Sequence, residues 1–436
     1  MNMRQIALRI LDEYEAGGKY VNLALSTHLT DGLSAEEKAA LTALLYTTVE
    51  RKLTYDYYIC ALAGRSEGDI DPHTKNILRL GLCQLLDMES VPDFAAVNET
   101  VALARSKGEK AFVNGVLRTA SRSKDSLPMP DQKKKAARFL SVKYSFPLPL
   151  VKHFTELYGI EDTEKLLSFY NSEKYTDITV NTLKISTEEY LALLKKEGYV
   201  VEKNGICPHS LRILSSVNPQ RLPGFADGLF FVQDRASAIS ALALGAHAGE
   251  VIVDVCSAPG GKSFATAILT EDRAEIHSFD LHESKLSLIR GGAERLGIHS
   301  VSVGQRDALA PDESLIGRAD RVICDAPCSG LGVLGKKPDL RYKDMAALTE
   351  LPPLQLDILT ASCVYLKVGG ELLYSTCTLN PLENEQIVSA FLSEHPDFCA
   401  VDFSVGELHS DGGMLTLLPH IHGTDGFFMA KIKKVR

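Results

Sequence analysis

From about Phe231 onward, short apolar runs ending in small or acidic residues alternate with helix-like stretches. VIVDV (251–255) leads into SAPGGKS and the helix-like FATAILTE. EIHSFD is followed by HESKLSLIRGGAERLG, and SVSVGQRDA, RADRVICDAP and GGELLYSTC supply three further strands. Runs this short and this apolar fit strands covered on both faces, so the pattern predicts an α/β fold with a doubly wound, mostly parallel sheet. Ligands of such sheets lie beyond the carboxyl ends of the strands. That rule puts SAPGGK, DAPCSG (325–330) and STCTLNP on one functional edge.

At 436 residues the chain is too long for one ordinary core. Its first 140 residues read as helical. Ile6, Leu8, Ile10 and Leu11 form the stripe of a first helix that Gly17-Gly18 ends, and Ser34 with Glu37 makes a capping box before AEEKAALTALLYTTVERKL. Asp71 caps a helix with Pro72 at its first position, Pro92 stands near the start of another, and KAFVNGVLRTA continues the series. SKDSLPMPDQ is a turn-rich joint. Residues 145–235 then read as a small α+β unit, with DITVNTLK as a strand, Ser186 or Thr187 capping EEYLALLKKEG, and a turn at Lys203–Asn204.

The net charge of -9 argues against a protein that coats nucleic acid everywhere. Between Val101 and Lys152, however, twelve Lys/Arg stand against three Asp/Glu. A solvated helix face and a phosphate-contacting surface both fit that bias. The nine cysteines show no zinc-like paired spacing and no secreted disulfide framework. With no signal-like h-region and no apolar run of membrane-spanning length, a cytoplasmic protein with reduced thiols is expected.

CSAPGGK is neither a phosphate-binding GxxxxGK[ST] loop nor a dinucleotide GxGxxG. Its glycines allow a tight turn and close approach to a ligand. Asp280 closes the second strand, where a carboxylate can accept both ribose hydroxyls, and Asp307 follows the third, within reach of an adenine amino group. Each acid alone also reads as a cap. Together, at successive strand ends, they point to S-adenosylmethionine.

An isolated cysteine after a strand is usually a small core hydrophobe, the plain reading of Cys256, Cys324 and Cys363. Cys60, Cys83, Cys207 and Cys399 belong to no site. Cys328 and Cys377 differ, because both fall in turns on the ligand edge. Two thiols beside an adenosylmethionine site suggest covalent methylation of a pyrimidine: a thiolate adds to C6 and makes C5 nucleophilic. Asp325 can hold the ring's N3/N4 edge. These residues alone leave both thiols open as the nucleophile.

DVCSAPGGK, DAPCSGLG, YSTCTLNPLENE and TDGFFMAKIKK resemble the RNA 5-methylcytosine methyltransferases of the Sun/Nop2 type. FAAVNETVALAR and AFVNGVLR resemble the antitermination-factor-like RNA-binding domain of the bacterial branch that acts on 16S ribosomal RNA. The resemblance implies a class I methyltransferase domain over 236–436, an RNA-binding helical domain over 1–140 and a small RNA-binding or linking domain over 145–235. It implies adenosylmethionine contacts from Cys256, Ser257, Ala258, Pro259, Gly260, Gly261 and Lys262, and from Asp280, Asp307 and Asp325. It assigns Cys377 as nucleophile and Cys328 to product release, with no metal. It implies a monomer acting on unassembled or partly assembled 16S ribosomal RNA. Two departures stand out: CSAPGGK replaces CAAPGGK, and Thr179 stands where relatives often carry an arginine before VN, removing a possible RNA contact. The alternatives are the same chemistry on tRNA or another RNA, or an RNA-binding factor with an inactive methylase domain.

Overall fold

The computed structural model describes residues 2–17, 21–28, 33–172, 175–215 and 217–436. The chain forms two compact units: Met1–Asn171 with Lys337–Lys343, and Ser172–Lys336 with Asp344–Arg436. No helix among the described residues is long and apolar enough to cross a membrane.

The first unit is built from α1 (Met3–Glu15), α2 (Val21–His28), α3 (Ala35–Glu50), α4 (Lys52–Ala63), α5 (Pro72–Leu86), α6 (Asp93–Val101), α7 (Lys107–Arg122), α8 (Ala136–Tyr144) and α9 (Leu148–Tyr170). The local signals for these helices are physical. Ser34 and Glu37 form the capping box of α3, and Asp71 accepts from Thr74 N at the start of α5, with Pro72 at the first position. Ile6, Leu8, Ile10 and Leu11 are the buried stripe of α1, which ends at Ala16; Gly17 follows with φ +79°, and Gly18 lies outside the described residues.

Helix α5 is buried from Asn76 to Leu85 and forms the axis of this unit. Arg79 on it is 2% exposed and makes a two-pronged bond to Asp56 of α4, 2.7 Å on each side. α9 is interrupted at Gly159, whose φ of +77° suits only glycine without strain. Eleven of the twelve basic residues between Val101 and Lys152 are exposed; the half-buried Lys124 pairs with Asp93, and the exposed Lys143 with Glu164.

The second unit holds two main sheets. Strands β1 (Thr176–Val180), β2 (Val201–Lys203), β3 (Ser210–Ile213) and β4 (Phe230–Val232) form an antiparallel sheet in the order β2-β3-β1-β4. Helix α10 (Thr187–Lys196), capped by Ser186 in a box with Glu189, packs on it through Tyr190 and Leu194. Residues 145–171, grouped with this sheet by composition, pack with the helices instead, and the sheet begins at Thr176.

Next come α11 (Arg235–Leu244), β5 (Val251–Asp254), α12 (Gly261–Leu269), β6 (Glu275–Asp280), α13 (Glu283–Leu296), β7 (Val301–Gln305) and β8 (Ala319–Asp325). After them come α14 (Leu351–Cys363), β9 (Leu366–Thr376), α15 (Glu385–Glu394), β10 (Phe398–Ala400), the small pair β11 (Ser404–Val405) and β12 (Leu408–His409), β13 (Met414–Leu417), α16 (Pro419–His422) and β14 (Phe427–Lys434). The large sheet runs β10-β14-β9-β8-β5-β6-β7, with β13 on β14. Strands β7, β6, β5, β8 and β9 are parallel, as the apolar runs predict, and β14 is antiparallel to β9. This is the doubly wound, mostly parallel sheet that the sequence predicts, with an antiparallel extension. Ile252, Ile276 and Leu373 face one apolar layer; Val253, Val322 and Leu372 face the other. Burial on both faces is the reason these strands read as continuous apolar runs.

Candidate active site

Strand order decides what meets at the sheet edge. β8 and β9 are adjacent, pairing Asp325 with Ser375, so the turns that follow them bring together thiols 49 residues apart. Cys328 Sγ and Cys377 Sγ are 3.2 Å apart, within hydrogen-bond reach. The bond to Cys377 first, and burial second, push the Cys328 thiol well above the usual thiol range.

Asp325 closes β8. Its Oδ1 accepts from Ser375 Oγ at 2.7 Å and its Oδ2 from Lys262 Nζ at 2.6 Å. Lys262 lies in the first turn of α12, 5.1 Å from the centre of the Phe427 ring. The last residue of the Gly-rich loop is thus paired with the aspartate of DAPCSG.

The loop itself is a tight turn between β5 and α12. Ser257 N and Oγ both donate to Phe279 O at 2.8 Å, and Gly260 N donates to Ser257 O at 2.7 Å. The Ala258–Pro259 peptide is cis, and Gly260 has φ +106°. A Cβ there would lie 2.4 Å from Phe264 Cζ, so the turn requires glycine. Asp280, at the end of β6, accepts from Ala258 N at 3.3 Å and from His282 N at 3.1 Å, which binds the second strand end to the loop. Asp307 lies beyond β7 and caps its own turn, accepting from Leu309 N at 3.0 Å. Cys256 sits at the mouth of β5, its thiol pushed well above the usual range by burial. Beneath the loop, Asp254 is buried, accepts from Ser263 Oγ at 2.6 Å, and is pushed up to about 7, mainly by burial.

Thr179 is buried at 6% exposure. Its hydroxyl donates to Gln233 Oε1 at 2.8 Å, and Gln233 Nε2 donates to Gly261 O at 3.0 Å. In place of a charged surface side chain, this position carries a link from the small sheet to the Gly-rich loop.

Several site residues are not legible as such in the sequence. Lys336 donates to Asp234 at 2.6 Å and to Asp425 at 2.9 Å, joining three separate segments behind the turns. Glu383, Asn380, Gln355 and Thr378 form a buried polar network under both thiols. Thr378, Asn380 and Glu383 lie in the polar TLNPLENE stretch of the YSTCTLNPLENE motif, just after an apolar strand, whereas Gln355 carries no such signal.

Three family models match consecutive parts of the chain. Residues 1–122 match the NusB family, 146–220 the ferredoxin-like domain of RsmF/B-like methyltransferases, and 241–433 the 16S rRNA methyltransferase RsmB/F. The chain is 35% identical to a probable ribosomal RNA small subunit methyltransferase B of Bacillus subtilis (strain 168), aligned over 99% of both. It is 36% identical to a protein of the same description from Synechocystis, over 100% of both chains. Among solved structures, that of PH0851 aligns with a TM-score of 0.80 at 27% identity, covering 100% of this chain and 99% of the other. NSun6 from Pyrococcus horikoshii, solved with SFG, aligns at 0.62 and 25% identity, covering 67% of this chain and 99% of the other. Matched from its helical unit through its methyltransferase sheet, and 35–36% identical to relatives along nearly its whole length, the chain belongs to the 16S rRNA methyltransferase RsmB/F family.

Proposed function

We propose that this protein transfers a methyl group from S-adenosylmethionine to C5 of a specific cytidine in 16S ribosomal RNA, through a covalent bond between Cys377 and C6 of the ring. The observation that carries the proposal is the pair of thiols 3.2 Å apart, in the turns after adjacent parallel strands, one of which ends in Asp325, paired with Lys262 of α12. The names of the relatives, ribosomal RNA small subunit methyltransferase B, support the substrate. NSun6, solved with the adenosylmethionine analogue SFG, supports the cofactor. The exposed basic residues of 101–152 support an RNA-facing helical unit.

The cofactor fits the residues present. The β5 turn has no phosphate-cradling spacing, its Gly260 leaves no room for a side chain, and the Asp280 carboxylate stands at the next strand end, where ribose hydroxyls are accepted in folds of this type. Cys256 through Lys262, with Asp280 and Asp307, would hold the nucleoside. When bound, adenosylmethionine supplies an electrophilic methyl on a sulfonium.

Cys377 as thiolate would add to C6, forming an S–C6 bond and moving the π electrons to C5; C5 would then take the methyl as the methyl–sulfonium bond breaks and leaves its electron pair on that sulfur. The C5 proton leaves to a base, the electrons reform the double bond, and the S–C6 bond breaks to return the thiolate. The Cys328 thiol, held protonated, donates to the Cys377 sulfur, which lowers the cost of the thiolate and keeps a proton beside the bond that must break. Asp325, fixed by Lys262 and Ser375, hydrogen-bonds the N3/N4 edge as charge develops. The target base must be in a loop or flipped out of its helix to reach these groups.

The test is a denaturing gel with labelled RNA. Cys377→Ala is expected to abolish methylation and adduct together, whereas Cys328→Ala is expected to accumulate adduct, because addition survives and release stalls. An adduct in the Cys377→Ala protein but none in the Cys328→Ala protein overturns the assignment. Bisulfite mapping of total RNA from cells with and without the protein tests the substrate: loss of a tRNA site with ribosomal RNA unchanged would reject 16S ribosomal RNA.

A further inference from the structure

Glu383 is a carboxylate with no exposure to solvent, and it forms no ion pair among the described residues. Taking a carboxylate out of water without a counter-charge is strongly unfavourable unless donors replace the lost hydration. Here every partner is a donor. Oε2 accepts from Ser329 N at 2.8 Å and from Gln355 Nε2 at 3.0 Å, and Oε1 accepts from Asn380 Nδ2 at 2.9 Å.

These partners flank both thiols. Ser329 directly follows Cys328, and Gln355 of α14 also donates to Pro327 O at 2.8 Å, so the residues on either side of Cys328 are held through one carboxylate. Asn380 lies three residues beyond Cys377. Its backbone N donates to Thr378 Oγ1, which in turn hydrogen-bonds Ser329 Oγ at 2.7 Å. Tyr374 of β9 donates to Glu383 O at 2.7 Å and fixes the backbone that carries the carboxylate.

We infer that Glu383 is a positioning residue for the two-thiol site, yoking the turn of Cys328 to the turn of Cys377 so that their sulfurs stay in contact. The chemical reason for glutamate is the all-donor surroundings. A glutamine would turn an NH2 toward Asn380 Nδ2 or toward Ser329 N and Gln355 Nε2, leaving donors facing donors. The charge has a second effect: after the bond to Cys377 and burial, it adds to what keeps the Cys328 thiol protonated.

The inference rests on the two-thiol reading of the site, and its test separates the two. In the folded full-length protein without RNA, alkylation of Cys377 and Cys328 by iodoacetamide is followed by mass spectrometry across pH. Glu383→Gln is expected to raise the alkylation of Cys328 relative to Cys377 by roughly 10-fold and to slow single-turnover methyl transfer roughly 10- to 100-fold, the range carried by lost hydrogen bonds to a charged group. Adenosylmethionine affinity is expected to stay within about 2-fold, since its loop shares no partner with Glu383. Glu383→Asp, which keeps the charge, is expected to restore the alkylation ratio in part. Gln355→Met, which keeps the volume but removes one donor, moves the ratio in the same direction by less, and it decides the matter if Glu383→Gln does not fold. A wild-type alkylation ratio in the folded variants overturns the inference, as does parallel loss of adenosylmethionine binding, the mark of a purely structural role. A shifted ratio in a protein that methylates no cytidine supports the positioning and overturns only the methyl-transfer reading.

Discussion

At the scale of single residues, Asp254 shows how the turn after β5 is made at a cost in stability. Burial under the Gly-rich loop pushes its carboxyl up to about 7, and Ser263 Oγ only partly offsets this at 2.6 Å. The native state therefore binds this proton more tightly than the unfolded chain, whose carboxyl has the ordinary low value. Stability from this group is fully present at acid pH, falls as pH rises from about 4 to 7, and stays at the lower level above. Asp254→Asn removes the titration. Between pH 5.5 and 8 the wild type is expected to lose about 2 kcal/mol relative to the variant, measured by urea unfolding at each pH. Parallel pH dependence of the two proteins would contradict the argument. Thr179 teaches a related lesson about legibility. A threonine in place of an arginine reads from sequence as a missing RNA contact, but its hydroxyl is committed to Gln233 and, through it, to Gly261. That chain of bonds joins residues 54 and 28 positions apart, a separation no local pattern encodes.

At the scale of elements, the parallel strands were legible because burial on both faces leaves a continuous apolar signature, and the capping boxes of α3 and α10 because they are local chemistry. The antiparallel β14 lies within the motif TDGFFMAKIKK, yet its pairing with β9 depends on sheet order, which periodicity does not carry. The meeting of the two cysteines depends on the same non-local fact, the adjacency of β8 and β9. Glycine also acts here at the level of elements. Gly332 N donates to Cys377 O and Gly426 N donates to Gly332 O, both at 2.9 Å, so the turn after β8, the turn of Cys377 and the start of β14 are bound edge to edge. A Cβ at Gly332 would lie 1.8 Å from Gly426 O, a backbone atom that cannot move aside alone. Gly332→Ala is expected to cost at least about 2 kcal/mol, in the upper range of overpacking. It should also abolish the RNA adduct while adenosylmethionine binding, measured by calorimetry, persists. An alanine variant with wild-type adduct yield would show that the contact does not hold Cys377.

At the scale of the whole molecule, the helical unit is not a contiguous stretch of chain. Its last piece, Lys337–Lys343, arrives from far along the sequence, between the turn of Cys328 and α14. As sequence, KKPDLRYK looks like an ordinary solvated loop, which is why its role was not legible. In the structure Arg341 has no exposed side chain. Its guanidinium sits 4.0 Å from the centre of the Phe146 ring and bonds Glu50 Oε1 at 3.1 Å, while Tyr342 Oη donates to Val49 O at 2.8 Å. A buried arginine is stable only when it is paired and its flat faces are covered, and Glu50 of α3 and Phe146, between α8 and α9, supply both. The segment therefore belongs to the helical core, and that core is incomplete without it. Removing one partner of a buried pair costs about 3–5 kcal/mol, and because Glu50 keeps 22% of its exposure, the loss here is expected to be on the order of 2–3 kcal/mol. Arg341→Leu should lower the unfolding free energy of the helical unit by that amount, read from hydrogen exchange of α3 and α9 amides. A fragment of residues 1–171 should show the same weakening of the same helices, since it lacks the whole segment. If the fragment protects α3 and α9 as well as the full chain does, the helical unit is complete without residues 337–343, and the buried arginine is an ornament on a core that already stands.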